Sequence, residues 1–154
     1  MVTRTNLLLT GGLALAGLAA VIVMAGSSDA TGLQTPDDTD AVALGQSIYA
    51  EHCAACHGAQ LEGAPNWQIR DADGLLPAPP HDAPGHTWHH DEETLFTLTK
   101  CGLAGLMENA PPSGMPVYDG VLSDADIIAV LSFIKSTWPD DLRAYHDELN
   151  ARSE

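Results

Sequence analysis

Apolar positions divide this chain into stretches of different character. Leu7 to Ala25 run for nineteen residues without a charge, and the next stretch, residues 26–39, is small, polar and acidic with no apolar period. That composition reads as a flexible tether. Periodic spacing resumes at Asp40, where Ala41, Leu44, Ile48 and Tyr49 recur near helical intervals and lead into EHCAACHG. Gly45 inside this helix costs about 1 kcal/mol against Ala. Residues 62–90 hold five of the ten prolines and four of the seven histidines, and predict a long loop with Trp67 and Trp88 as anchors. DEETLFTLTKCG then predicts a short helix with Leu95, Phe96 and Leu98 inward and Gly102 as its stop. A turn-rich segment, NAPPSGMPVYDG, separates it from Ser123, which with Asp126 forms an S-x-x-D capping signal. The helix behind that cap carries Ile127, Ile128, Val130, Leu131 and Ile134 on or beside one face, and Pro139 closes it. Residues 139–154 read as a charged tail helix. No strand and no internal repeat is convincing, so the expected class is all-α: a small helical domain preceded by an N-terminal hydrophobic helix.

The leader sets the address. Nineteen helical residues reach about 28 Å, close to the roughly 30 Å of membrane hydrocarbon. A cleavable signal usually carries a shorter apolar core of about 7–15 residues. Length therefore favours a transmembrane anchor over 1–25, although Val23-Met24-Ala25 and Ser28-Asp29-Ala30 each offer a cleavage site. Both readings leave Arg4 in the cytoplasm and export the acidic remainder. The expected location is the inner membrane with the domain facing the periplasm, or the soluble periplasm if the leader is removed. The domain plan is thus 1–25 anchor or signal, 26–39 linker, 40–138 functional domain and 139–154 tail.

The chemistry sits in C-A-A-C-H, Cys53 to His57. With three Cys and seven His in 154 residues, chance would produce C-x-x-C-H with a probability of about 0.003. A redox dithiol would open a helix after a strand, and no strand precedes Cys53. A zinc site would need a second ligand pair, and Cys101 stands alone. Covalent haem needs neither. Cys53 and Cys56 lie about one helical turn apart, so both sulfurs can meet the two vinyl groups of one porphyrin, and His57 supplies the fifth ligand to its iron.

The other axial position has three candidates: a methionine, a second histidine, or none. Met115 stands between Gly114, which permits close backbone approach, and Pro116, which fixes the loop. A rigid loop can hold a weak thioether bond. Met107 lies nearer a helix, where packing is the expectation. The order helix, CAACH, long loop, MP and terminal helix resembles the class I monohaem c-type cytochromes of bacteria. The resemblance is carried by GQSIYAEHCAACHG, GMPVY and LSDADIIAVLSFIKSTWP, and spans roughly Asp40 to Trp138. It implies a small all-α fold whose first and last helices cross, with Gly45 meeting a residue such as Phe133. It also implies one haem c attached through Cys53 and Cys56, with His57 and Met115 as axial ligands. The His/Pro-rich insert and the tail after Pro139 depart from the family's minimal pattern.

A net charge of −15 argues against nucleic acid and suits either basic protein partners or simply a soluble surface. The expected function is one-electron transport between redox partners of a respiratory or dehydrogenase chain, with no catalytic constellation. Two alternatives stand beside it: a haem enzyme or gas sensor with an open sixth site, and a metal-handling protein that uses His81, His86, His89 and His90. Those histidines could equally contact haem propionates or the loop backbone. Cys101 is either a reactive thiol or, as the commoner fate of a lone thiol, a buried small residue. Arg70, Lys100 and Lys135 are scarce cations available to offset a propionate.

Overall fold

The first helix, α1 (Thr39–His52), begins at Asp38, whose carboxylate accepts from the backbone N–H groups of Asp40 and Ala41 at 3.0 and 3.2 Å. It belongs to a computed structural model that describes residues 32–153. The apolar stretch Leu7–Ala25, expected as anchor or signal, lies outside the described residues. No helix among the described residues is long and apolar enough to cross a membrane. The described elements are helical, with a single isolated bridge between Asp119 and Leu122. After α1 come α2 (Ala54–His57), α3 (Glu92–Cys101), α4 (Asp124–Ser136) and α5 (Asp140–Ser153), with short 3-10 turns at Thr87–His89 and Leu103–Gly105.

Two helices make the frame. In α1, Gly45, Ile48 and Tyr49 are buried, at the spacing that makes one helical face. They lie against α4, where Ile127, Ala129, Val130, Leu131 and Ile134 form the centre of the core. The two axes approach at Gly45. A Cβ there would stand 2.0 Å from the Ala129 carbonyl oxygen and 2.9 Å from Phe133 Cβ, so no side chain fits. The contact with Phe133 implied by the family resemblance is present, and the Ala129 backbone is closer still. At the start of α4, Ser123 and Asp126 satisfy one another's backbone donors as a full capping box.

The third side of the core is held by polar groups. Lys135 of α4 is 3 % exposed, and its Nζ lies 2.8 Å from Glu92 of α3 and 2.6 Å from Asp147 of α5. Glu92, itself buried, also accepts the Gln34 N–H at 3.0 Å, while its own N–H donates to Asn150 Oδ1 at 3.0 Å. His146 of α5 is fully buried, with its edge against Trp138 and Nε2 2.9 Å from the His90 carbonyl. Burial and the adjacent Lys135 charge hold its pKa below the ordinary histidine value, so the ring is neutral at pH 7 and Nε2 donates. Glu92, His146 and Asp147 would suit a cation, and Lys135 is that cation.

This network corrects one expectation. The stretch read as a flexible tether over 26–39 is docked from Gln34 onward: Gln34 is 3 % exposed, Thr35 N–H donates to Ser132 Oγ at 2.9 Å, and Asp37 pairs with Arg143 at 2.6 Å. Its backbone finds buried side-chain acceptors on α3 and α4, a source of order that leaves no apolar period.

Replacing Gly45 by Ala is expected to destabilise the haem-loaded protein by about 2 kcal/mol, because forcing apart a closed backbone contact outweighs the roughly 1 kcal/mol gained in helix propensity. Denaturant unfolding checks this; an unchanged midpoint would mean that the helices do not close on Gly45.

Candidate haem site

The C-terminal turn of α1 delivers the motif. Cys53 caps α1 through its N–H to the Tyr49 carbonyl at 2.9 Å and leaves ideal helix geometry, with φ −117° and ψ −38°. One further turn, α2, then sets Cys53, Cys56 and His57 together before Gly58, at φ +82°, ends it. Three bonds from elsewhere fix this turn. Tyr49 Oη donates to the Gly58 carbonyl at 2.8 Å, Gly63 N–H to the His57 carbonyl at 2.8 Å, and Tyr118 Oη to the His52 carbonyl at 2.7 Å.

Each chemical group has a defined environment. None of the three cysteines is in a disulfide. Cys53 packs against the core, and burial, reinforced by the neighbouring Cys56, pushes its thiol up to about 11. Cys56 faces outward. The His57 ring is 8 % exposed, and its Nδ1 lies 2.8 Å from the Pro79 carbonyl. A carbonyl only accepts, so Nδ1 carries the proton and Nε2 presents a lone pair. Burial lowers the His57 pKa against the raising influence of that carbonyl, which keeps the ring neutral. These features meet what a c-type haem requires: two unbonded thiols on one turn and a neutral imidazole oriented from behind. Ile69 and Leu76 on one flanking loop and Met107 and Val117 on the other are at least half exposed or nearly so (65, 49, 50 and 52 %), apolar surface that suits an apolar macrocycle.

Met115 is partly buried, and its N–H bonds Ser113 Oγ at 3.1 Å. The loop carrying it is tied down by Tyr118, which reaches α1 through its hydroxyl and α3 through its N–H to the Thr99 carbonyl at 3.3 Å. At its other side Gly114 lies against Leu75, a Cβ there standing 3.8 Å from Leu75 Cδ1. The methionine loop therefore meets the 62–90 loop.

That second loop sorts its histidines. His81 turns inward, its ring stacked on His57 with centroids 4.1 Å apart and planes 21° apart. Thr87 Oγ1 is hydrogen-bonded to His81 Nδ1 and lies 3.4 Å from the Pro80 carbonyl. Burial, reinforced by the neighbouring His57 imidazole, pushes His81 down to about 3. His86, His89 and His90 stay near the surface, with Trp88 stacked on His89 and Trp67 tilted against His86. Burial, and then repulsion from neighbouring imidazoles, lowers the pKa of both His86 and His90.

Several expectations change. Cys101 is exposed rather than buried, because it falls two residues past Thr99, off the face that Glu92, Leu95 and Thr99 turn inward. Lys100 pairs with Asp124 at 2.6 Å, Lys135 is buried in its network, and Arg70 donates to the Gly74 carbonyl at 2.7 Å within its own loop. Sequence reasoning missed Pro79, Tyr118 and the inward turn of His81. Pro79 acts through a carbonyl, which every residue owns, so no side-chain signal marks it.

The family model described as cytochrome c matches residues 42–138. The chain belongs to the cytochrome c family, its cofactor is covalently bound haem c, and Cys53 and Cys56 fit the C-x-x-C-H attachment motif. It is similar to subunit CcoP of cbb3-type cytochrome c oxidase from Azospirillum sp. (strain B510), at 32 % identity over 97 residues, 63 % of this chain and 29 % of that protein. The Rhodobacter capsulatus subunit of the same name is 34 % identical over 108 residues, covering 67 % of this chain and 31 % of the relative. The chain thus spans less than a third of the length of these relatives. No solved structure matches it.

Tyr49→Phe is expected to cost about 1–2 kcal/mol by stranding the Gly58 carbonyl behind a side chain that is 2 % exposed. Thermal unfolding of the haem-loaded variant reads it, and an unshifted transition would show that this hydroxyl does not hold the motif.

Proposed function

We propose that this protein is a one-electron carrier of the bacterial respiratory envelope, with haem held by Cys53 and Cys56 and its iron bound by His57 and Met115. The observation that carries this reading is the His57 imidazole, neutral, fixed through Nδ1 by Pro79 and placed one residue from the second thiol. Haem c supplies an iron that alternates between ferric and ferrous. The protein's part is to keep the surroundings of that iron the same in both states. Pro79 stops the imidazole from rotating, the His81 ring backs it on one face, and Tyr118 restrains the loop on which Met115 stands. Thioether ligation raises the potential above that of two imidazoles.

Leu7–Ala25 serves in this reading as a membrane tether with the haem domain on the periplasmic side, supported by its length and lack of charge. The likeness to an oxidase subunit supports a place within, or feeding, a terminal oxidase. A formal charge of −15 favours encounter with a basic partner surface through small transient contacts.

In the ferric haem-loaded protein, Met115→Ala is expected to abolish a long-wavelength sulfur-to-iron charge-transfer band, lower the midpoint potential and admit carbon monoxide after reduction. A band and potential untouched by the substitution would remove Met115 from the iron. Carbon monoxide binding to the unaltered protein would turn the reading toward an enzyme or sensor. Electron transfer to a basic redox partner is expected to slow on the order of tenfold between low salt and about 0.5 M salt in stopped-flow measurements; a salt-independent rate would show that the acidic surface does not steer encounter.

A further inference from the structure

We propose that His86 and His90 form a second metal site, separate from the haem, that takes a divalent transition ion of the copper(II) or zinc(II) class. The two Nε2 atoms stand 3.1 Å apart. At metal–nitrogen bonds of about 2.0–2.1 Å, two nitrogens at that separation subtend about 100° at a shared ion, between the square-planar and tetrahedral angles. The residues are four apart in sequence, the interval that turns two imidazoles to one side of a helical turn, and the 3-10 turn Thr87–His89 lies between them.

The pair is also built to stay in place. The His86 N–H donates to the Pro80 carbonyl at 3.2 Å, and the His90 N–H to the Thr87 carbonyl at 3.1 Å. Trp67 lies against the His86 ring at 5.4 Å between centroids, and Trp88, whose Nε1 donates to the Ala83 carbonyl at 3.0 Å, stacks on His89. Buried His146 holds the His90 carbonyl from α5, so the second ligand's backbone is pinned from below. His89 stands 5.5 Å from His86, ring to ring, and is the third imidazole nearest the pair. Among the described residues no carboxylate is bonded to either ring: Asp91, the adjacent acid, is engaged by the Thr94 N–H and hydroxyl. Two imidazoles without a thiolate match the preference of copper(II), ahead of zinc, in the usual affinity order, with water completing the coordination. The competing account of the 3.1 Å contact is a hydrogen bond, with one imidazole donating to the other.

The test uses the haem-loaded full chain, titrated with copper(II) and read by electron paramagnetic resonance and calorimetry, with zinc(II) in parallel. The expected result is one copper(II) per chain with nitrogen hyperfine structure. His86→Gln and His90→Gln are each expected to weaken binding at least tenfold and the double variant to abolish it, while the haem optical spectrum and potential do not move. Binding that survives the double variant at unchanged affinity, or no stoichiometric copper in the parent protein, would overturn the site and leave the hydrogen bond. Should the double variant misfold, histidine modification of the parent chain decides the matter. Copper must then protect His86 and His90 from acylation while His52 is modified as before, and equal modification with and without copper counts against the proposal.

Discussion

The near-contact of two backbones, Gly45 of α1 and Ala129 of α4, sets the position of everything that matters for the cofactor. The motif has no support of its own: α2 is a single turn, and Cys53 interrupts the helix that leads into it. Its place is therefore inherited from α1, and α1 is seated by α4. With the axes this close, Ile48 and Tyr49 reach the α4 core and Tyr49 meets Phe133 at 5.5 Å. The same tyrosine then hands its hydroxyl to Gly58, on the far side of the cysteines and His57. One residue thus joins the helix crossing to both ends of the haem-binding turn, so a shift in the crossing would move the thiols and the imidazole together.

Lys135 answers a different need. Withdrawing its ammonium and the Glu92 carboxylate from water costs about as much as their attraction returns, so the pair adds little net stability. Any other arrangement, however, would leave a buried charge alone. Only one placement of α3, α5 and the 34–38 segment satisfies Glu92, whose carboxylate serves Lys135 and Gln34 and whose N–H serves Asn150. In a chain with few aromatic residues and a modest apolar core, that requirement specifies how the extra C-terminal helix docks. The edge-to-face contact of Trp138 with His146 follows from the same docking, and through the Trp138 Nε1 bond to the His81 carbonyl it also holds the loop beneath His57.

What could be read in advance follows from where the information resides. Cys53, Cys56 and His57 announce themselves by side-chain identity, the capping box by hydroxyl and carboxylate three residues apart, and Gly45 by its intrusion into a helix. The helices of 40–52, 92–101 and 124–136 are amphipathic enough for period alone to place them. Interactions made by carbonyls have no such marker, which hid Pro79; the side chains that dock residues 34–38, Glu92 and Ser132, lie 58 and 97 positions away from their partners and leave no local sign. Lys135 read as a cation available to a propionate because its burial depends on a carboxylate 43 positions away, Glu92. Cys101 misled because its position relative to the inward face, and not its residue type, determines exposure.

The proline-rich loop, the chain's main departure from the family's minimal pattern, has a physical reason to be rich in proline. Pro79 and Pro80 lack N–H groups but keep their carbonyls, and their fixed φ holds those oxygens in place. Pro79 takes the proton-bearing nitrogen of His57, while Pro80 takes Thr87 Oγ1 and the His86 N–H. Thr87 in turn is hydrogen-bonded to His81 Nδ1 and holds the orientation of that ring. A rigid run of acceptors thereby decides which nitrogen of His57 carries hydrogen, and leaves its Nε2 as the one with a lone pair. For the proposed electron carrier, in which His57 binds the iron, this is the useful outcome, since an imidazole whose proton is already committed behind it enters both oxidation states in one orientation. His86 and His90 meet none of these acceptors through their rings, and their Nε2 atoms turn toward each other instead.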